Sequence, residues 1–121
     1  MTKKVMIVED AKSDAEKLSV LVRDYGAQVV EASDGKQAIE KAKSEKPDLI
    51  FMDVNMVNMD GFEATRHILA IPECKDIPIV FVTSKGQKAD QVWAKMLGGK
   101  GFVAKPYLAQ QIVDELKNFL G

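Results

Sequence analysis

Lys3-Lys4-Val5-Met6-Ile7-Val8-Glu9-Asp10 is the stretch whose reading decides the fold. Val5 to Val8 form an unbroken apolar run, the pattern of a parallel strand covered on both faces. Two carboxylates end it. Further along, Leu49 to Met52 runs into Asp53, Ile79 to Val82 into Thr83, and Phe102 to Ala104 into Lys105 and Pro106. If these strands are parallel neighbours, three carboxylates, a hydroxyl and an ammonium converge at one edge of one sheet. Crowded acids repel one another unless a cation sits between them, so the strand endings predict a metal site. The lysine and the hydroxyl point to an anion at the same place.

Helical periodicity fills the intervals. Leu18, Leu21, Val22 and Tyr25 share one stripe, and Gly26 stands where a left-handed C-cap belongs. Gln28 to Ala32 is a shorter strand with polar flanks and no reactive ending, which suits a sheet edge. Asp34 can cap the next helix, whose face is Ala38, Ile39 and Ala42 and which Pro47 stops. Asp53 to Phe62 has no period of its own. Asp60 and Glu63 then offer a capping box for a helix carrying Phe62, Ile68, Leu69 and Ile71, stopped by Pro72. A fourth helix runs from about Lys88 to Gly98-Gly99, and the last shows Leu108, Ile112, Leu116 and Phe119 on one face. Five strands alternating with five helices specify an α/β fold, a doubly wound (βα)5 parallel sheet. Right-handed crossovers, and the need for the four reactive endings to be adjacent, give the order 2-1-3-4-5. Ligands bind such sheets at the switch point, here between the first and third strands.

The 121 residues make one domain, 1–121, with 46% hydrophobic and 29% charged residues. Lys+Arg 17 against Asp+Glu 18 leaves a net charge of −1, so no nucleic-acid or membrane surface is advertised by charge. A single cysteine, Cys74, excludes an internal disulfide and fits a reducing compartment. The apolar run before Glu9 is too short for a signal peptide or a membrane span, so the expected location is cytoplasmic. The sequence ends at Gly121 after the fifth helix, and the expectation is a domain with no output domain.

Asp10 and Asp53 at the switch point can give oxygen ligands to a small hard cation, and a site with few carboxylates suits Mg²⁺. One of the acids can also attack phosphorus to form an acyl phosphate. The metal, Lys105 and the Thr83 hydroxyl would then neutralise charge on the phosphoryl oxygens. Asp53 is the best nucleophile because it ends a central strand, with acids on one side and Lys105 on the other. Each ending taken singly is ordinary strand-end polarity; four on the correct strands are not.

VMIVED, DLIFMDVNM, the DG of MDGF, IVFVTS and GFVAKPY together resemble the receiver domain of two-component response regulators, whose fold is the flavodoxin/CheY-like one. The resemblance covers the chain from Lys3 onward. It implies that Asp53 accepts a phosphoryl group from a histidine kinase or its phosphotransfer domain, and later loses it by self-catalysed hydrolysis. Mg²⁺, with Mn²⁺ as a substitute, would bind through Asp10, Asp53 and the Asn55 backbone carbonyl, with Glu9 acting through water. Lys105 would pair with the phosphoryl group, Thr83 and Phe102 would form the switch pair, and the Lys105–Pro106 peptide would be cis. Asn55, Ser84 and Lys85 would flank the phosphoryl site. A downstream protein would be bound on the face made by the fourth helix, fifth strand and fifth helix.

Two departures stand out. Met56-Val57 replaces the usual Met-Pro, which implies a less rigid loop with no ligand atom lost. Gly98-Gly99 replaces Gly-Ala, which implies altered packing near Thr83. Lys100 and Gly101 occupy the positions of an acidic pair found in relatives that dimerise on DNA, which favours a monomer with a protein target.

Trp93, in DQVWAKMLGG, is either a partly buried core residue or an aromatic anchor on a partner face. The Val-Trp pair with its glycine turn is similar to the twitching-motility subgroup, the PilG and PilH type, and suggests motility or chemotaxis-type signalling. His67 reads as a surface residue, Cys74 as a loop cysteine with no lowered pKa, and Glu40 to Lys46 as a solvated helix face. A flavin binder of the same topology is disfavoured because Glu9 and Asp10 would repel its phosphate. An aspartyl phosphatase would carry its nucleophile after the first strand. The remaining alternative is a degenerate receiver that binds partners without phosphorylation, and that predicts missing site residues. None is missing.

Overall fold

Each apolar run becomes a strand. The computed structural model describes residues 2–121. Its strands are β1 (Lys4–Val8), β2 (Gln28–Ala32), β3 (Leu49–Met52), β4 (Ile79–Thr83) and β5 (Gly101–Ala104). Between and after them lie α1 (Lys12–Tyr25), α2 (Gly35–Glu45), α3 (Gly61–Leu69), α4 (Lys88–Met96) and α5 (Ala109–Leu120). All neighbours pair in parallel, in the order β2-β1-β3-β4-β5. The polar β2 is at the edge as expected, and β5 forms the other edge.

Side chains alternate across the sheet and divide the core in two. Val5, Ile7, Leu49, Phe51, Val80 and Val82 face α1 and α5, meeting Leu18, Val22, Ile112 and Leu116. Met6, Val8, Ile50, Met52, Ile79 and Phe81 face the other way, onto α2, α3 and α4. Burial on both faces explains why β1, β3 and β4 read as continuous apolar runs.

Local signals account for most helix ends. Gly26 caps α1 at φ 104. The Asp34 carboxylate accepts from the Gln37 N–H at 2.8 Å, and Asp60 accepts from Glu63 N–H at 2.9 Å. At Asp60 only that half of the expected capping box forms. The Lys105–Pro106 peptide is cis.

Four expectations need correction. Ile71 lies beyond α3, which ends at Leu69, and precedes a 3-10 turn over Pro72–Cys74. Cys74 is therefore no loop cysteine; it is fully buried, and burial pushes its thiol pKa up. Leu108 is not on the apolar face of α5 but at its N-cap, where it is exposed. Its N–H is instead held by the Gln111 side chain at 2.8 Å. Gly99 affects Phe81 rather than Thr83. A Cβ there would sit 2.7 Å from the Phe81 ring and 2.9 Å from the Ala94 carbonyl.

Candidate functional site

The carboxyl ends of β1 and β3 meet at the switch point, and a side chain that follows β5 reaches them. Glu9, one residue past β1, is buried, and its Oε2 accepts from Ala11 N–H at 3.1 Å. Asp10 beside it is exposed. Asp53, directly after β3, is buried and continues the ladder by donating its N–H to the Val8 carbonyl at 3.0 Å. One carboxylate oxygen from each of Glu9, Asp10 and Asp53 lies within 4.8 Å of the others. A cleft of about 600 Å³ opens beside Glu9 and Asp10, between α1 and the β2–α2 turn.

Gly61 permits the close approach of α3. A Cβ on Gly61 would lie 2.2 Å from the Asp53 carbonyl oxygen, so no other residue fits the first position of that helix. Its N–H instead donates to the Val54 carbonyl at 3.0 Å, tying the loop after β3 to the helix. That is the physical content of the DG pair.

Lys105, after β5, reaches across the sheet edge. Its Nζ lies 2.5 Å from Glu9 Oε1, 3.0 Å from Asp14 Oδ2 and 3.1 Å from Asp53 Oδ2. Burial alone would lower the Lys105 pKa, but its bonds to Glu9, Asp14 and Asp53 outweigh burial and raise it. Glu9 moves the other way from an ordinary carboxylate. Burial, opposed by Lys105 and aided by Asp53, pushes its pKa up to about 7. Four carboxyl groups, Glu9, Asp10, Asp14 and Asp53, gather around one ammonium. That residual negative charge, on hard oxygen donors, fits a small divalent cation.

Asp14 is the contact missed in sequence. It sits in the first turn of α1, the helix that follows Asp10 directly, and its contact with Lys105 places it beside the strand ends. An acid one helical turn beyond an acidic strand end is a signal that could have found it.

The remaining residues surround this cluster. Asn55 N–H donates to Asp53 Oδ1 at 3.0 Å, and its side-chain amide donates to Ser84 Oγ at 3.0 Å. The loops after β3 and β4 are thus tied across the mouth of the site. Thr83 is fully buried, and its Oγ1 accepts from Lys85 N–H at 3.1 Å. Phe102 is half-buried; its ring is 6.4 Å from that of Phe81 and lines a groove of about 430 Å³ between α4 and β5. Lys88, Val92, Lys95 and Lys100 also line that groove. Trp93 is exposed on α4 and, with Asp60, Phe62 and Arg66, edges a second groove toward α3. His67 is exposed, as expected.

Fold and site together define a class: a doubly wound α/β domain with an acidic, cation-competent pocket at its switch point. The chain belongs to the response regulator receiver domain family, whose pattern matches residues 5–117. It is 36% identical over 103 residues to protein PilH of Pseudomonas aeruginosa, covering 85% of each chain. The chemotaxis protein CheY4 of Vibrio cholerae superposes with a TM-score of 0.92 at 29% identity, covering 98% of this chain and 99% of that one. The receiver domain of the sensor histidine kinase PA1611 from Pseudomonas aeruginosa, solved with magnesium coordinated in its active site cleft, gives 0.91 at 26% identity, covering 100% and 99%. Among the described residues no helix is long and apolar enough to cross a membrane.

Proposed function

We propose that this chain is a phosphoacceptor receiver that takes a phosphoryl group on Asp53 from a histidine kinase or its phosphotransfer domain. The observation that carries this reading is the Asp53 carboxylate itself, buried at the end of a central strand with the Lys105 ammonium 3.1 Å from its Oδ2. An Asp53 oxygen bonds to phosphorus as the bond to the donor's imidazole nitrogen breaks. With its other ring nitrogen protonated from solvent, the donor leaves as neutral imidazole, and the acceptor becomes an acyl phosphate. Water attacking the same phosphorus later restores the carboxylate and releases phosphate. Asp10, Asp53 and the Asn55 carbonyl would hold Mg²⁺, or Mn²⁺ in its place, with Glu9 acting through water. When bound, the ion supplies neutralising charge to the phosphoryl oxygens.

Lys105 orients and neutralises the phosphoryl group from the side away from Asp10. Thr83 exchanges its bond from Lys85 N–H for one to a phosphoryl oxygen, and Phe102 turns into the space behind it. Asn55, Ser84 and Lys85 set the access of water. The remodelled face of α4, β5 and α5 then binds a downstream protein. Likeness to PilH and to a chemotaxis protein supports motility or chemotaxis-type signalling by a cytoplasmic monomer, without nucleic-acid contact or membrane insertion. A phosphorylation-independent binding module is the weaker reading, because every residue it could dispense with converges on one site.

Radiolabelled acetyl phosphate with Mg²⁺ tests the assignment. Asp53→Asn should abolish labelling, and label retained on that variant would refute Asp53 as the nucleophile.

A further inference from the structure

Lys105 has three ammonium protons and three carboxylate partners, so no donor is left for a phosphoryl oxygen. One partner must be released before the lysine can serve an incoming group. The three are not equivalent. The Glu9 and Asp53 side chains are 5% and 7% exposed, whereas that of Asp14 is 47% exposed. The two buried carboxylates can give up the ammonium only to another cation, so an ion entering between them frees Lys105 and leaves Asp14, at the rim, as its remaining partner. Asp14 also belongs to a different element, α1, and lies outside the trio that converges on a cation position.

We propose that Asp14 is a positioning residue for Lys105, a rim carboxylate that holds the ammonium while Glu9 and Asp53 turn to a cation. This rests on the metal-dependent reading above. With Asp14 present, Lys105 moves outward when the buried acids are engaged and returns when Asp53 carries a phosphoryl group. Without it, the ammonium remains between Glu9 and Asp53 and competes with the metal for them.

The test is calorimetric titration of Mg²⁺ into wild type, Asp14→Asn, Asp14→Glu, Lys105→Ala and the Asp14→Asn/Lys105→Ala double variant. Asp14→Asn should weaken Mg²⁺ binding by about threefold, the scale of a half-exposed ion pair. Asp14→Glu should restore it, and Asp14→Asn should have little further effect once Lys105 is gone. Equal weakening in the wild-type and Lys105→Ala backgrounds would overturn the proposal, because Asp14 would then act as a distant charge only. No weakening, or no Mg²⁺ binding by wild type, would overturn it as well. Labelling of wild type by acetyl phosphate is scored separately. A wild type that binds Mg²⁺ but takes no label overturns phosphoryl acceptance while the titration still decides the role of Asp14.

Discussion

α4 and α5 flank the same edge strand, β5, yet they are attached to the core very differently. α5 buries Ile112 and Leu116 completely and adds Phe119 and Leu120 at the margin. Among the described side chains α4 buries only Ala94, and it leaves Val92, Trp93 and Met96 exposed. Its N-terminus has no side-chain cap. Apolar residues on α5 are committed to folding, while those on α4 remain available. Large exposed apolar side chains beside a groove mark a surface that other proteins use. A helix with little buried area is also the cheaper one to move. The contrast leaves the exposed apolar surface on α4 and the anchorage on α5.

The largest effect should come from attacking the anchored side. Leu116→Ala should cost about 2–5 kcal/mol in urea unfolding, the range for deleting a fully buried leucine. A loss below about 1 kcal/mol would mean that α5 is no better moored than α4.

An intermediate effect is expected from pH at the acidic site. On the proposed metal-dependent reading Glu9 serves the ion as carboxylate, and in the metal-free protein burial pushes its pKa up to about 7. Mg²⁺ affinity should therefore weaken by up to about tenfold for each pH unit below that value, with one proton released per ion bound. The stability of the metal-free protein has the opposite pH dependence. The raised pKa gives the metal-free protein stability that is fully present below the ordinary value of 4.5 and lost as pH rises through about 7. Saturating Mg²⁺ should recover stability above pH 7. Calorimetry in buffers of different ionisation enthalpy measures the proton count directly, and a pH-independent affinity would contradict the placement of Glu9.

The smallest effect should be at Met96, which is 72% exposed. Met96→Ala should change unfolding free energy by less than about 0.5 kcal/mol. A cost comparable to that of Leu116→Ala would show that α4 is held as firmly as α5.

Much of this was legible before any coordinates. Continuous apolar runs at Val5–Val8, Leu49–Met52 and Ile79–Val82 show strands covered on both faces, because one-sided burial would have produced alternation. The polar flanks of Gln28–Ala32 placed that strand at the edge for the converse reason. Glu9, Asp10, Asp53, Thr83 and Lys105 were legible because each stands at or just past the end of a strand, and parallel strands deliver their carboxyl ends to one side. The errors fall at element ends. Ile71 and Leu108 fit a helical period, but the chain had left helical geometry at the first and not yet entered it at the second. Periodicity cannot register that change. Gly99 was read against Thr83, when its contact in space is the ring of Phe81.

By itself the sequence determined the α/β class, the strand order and the identity of the reactive groups. Each of these follows from local pattern and from the fixed handedness of parallel connections. Only the tertiary structure decided which groups touch. Lys105 lies 91 residues from Asp14 and 52 from Asp53 along the chain, and no local rule relates them. It also decided that Trp93 faces solvent and that Cys74 does not. Burial depends on which elements stack over a residue, and ionisation depends on the charges those elements bring near it. That is why an ordinary glutamate at the end of β1 titrates near neutrality.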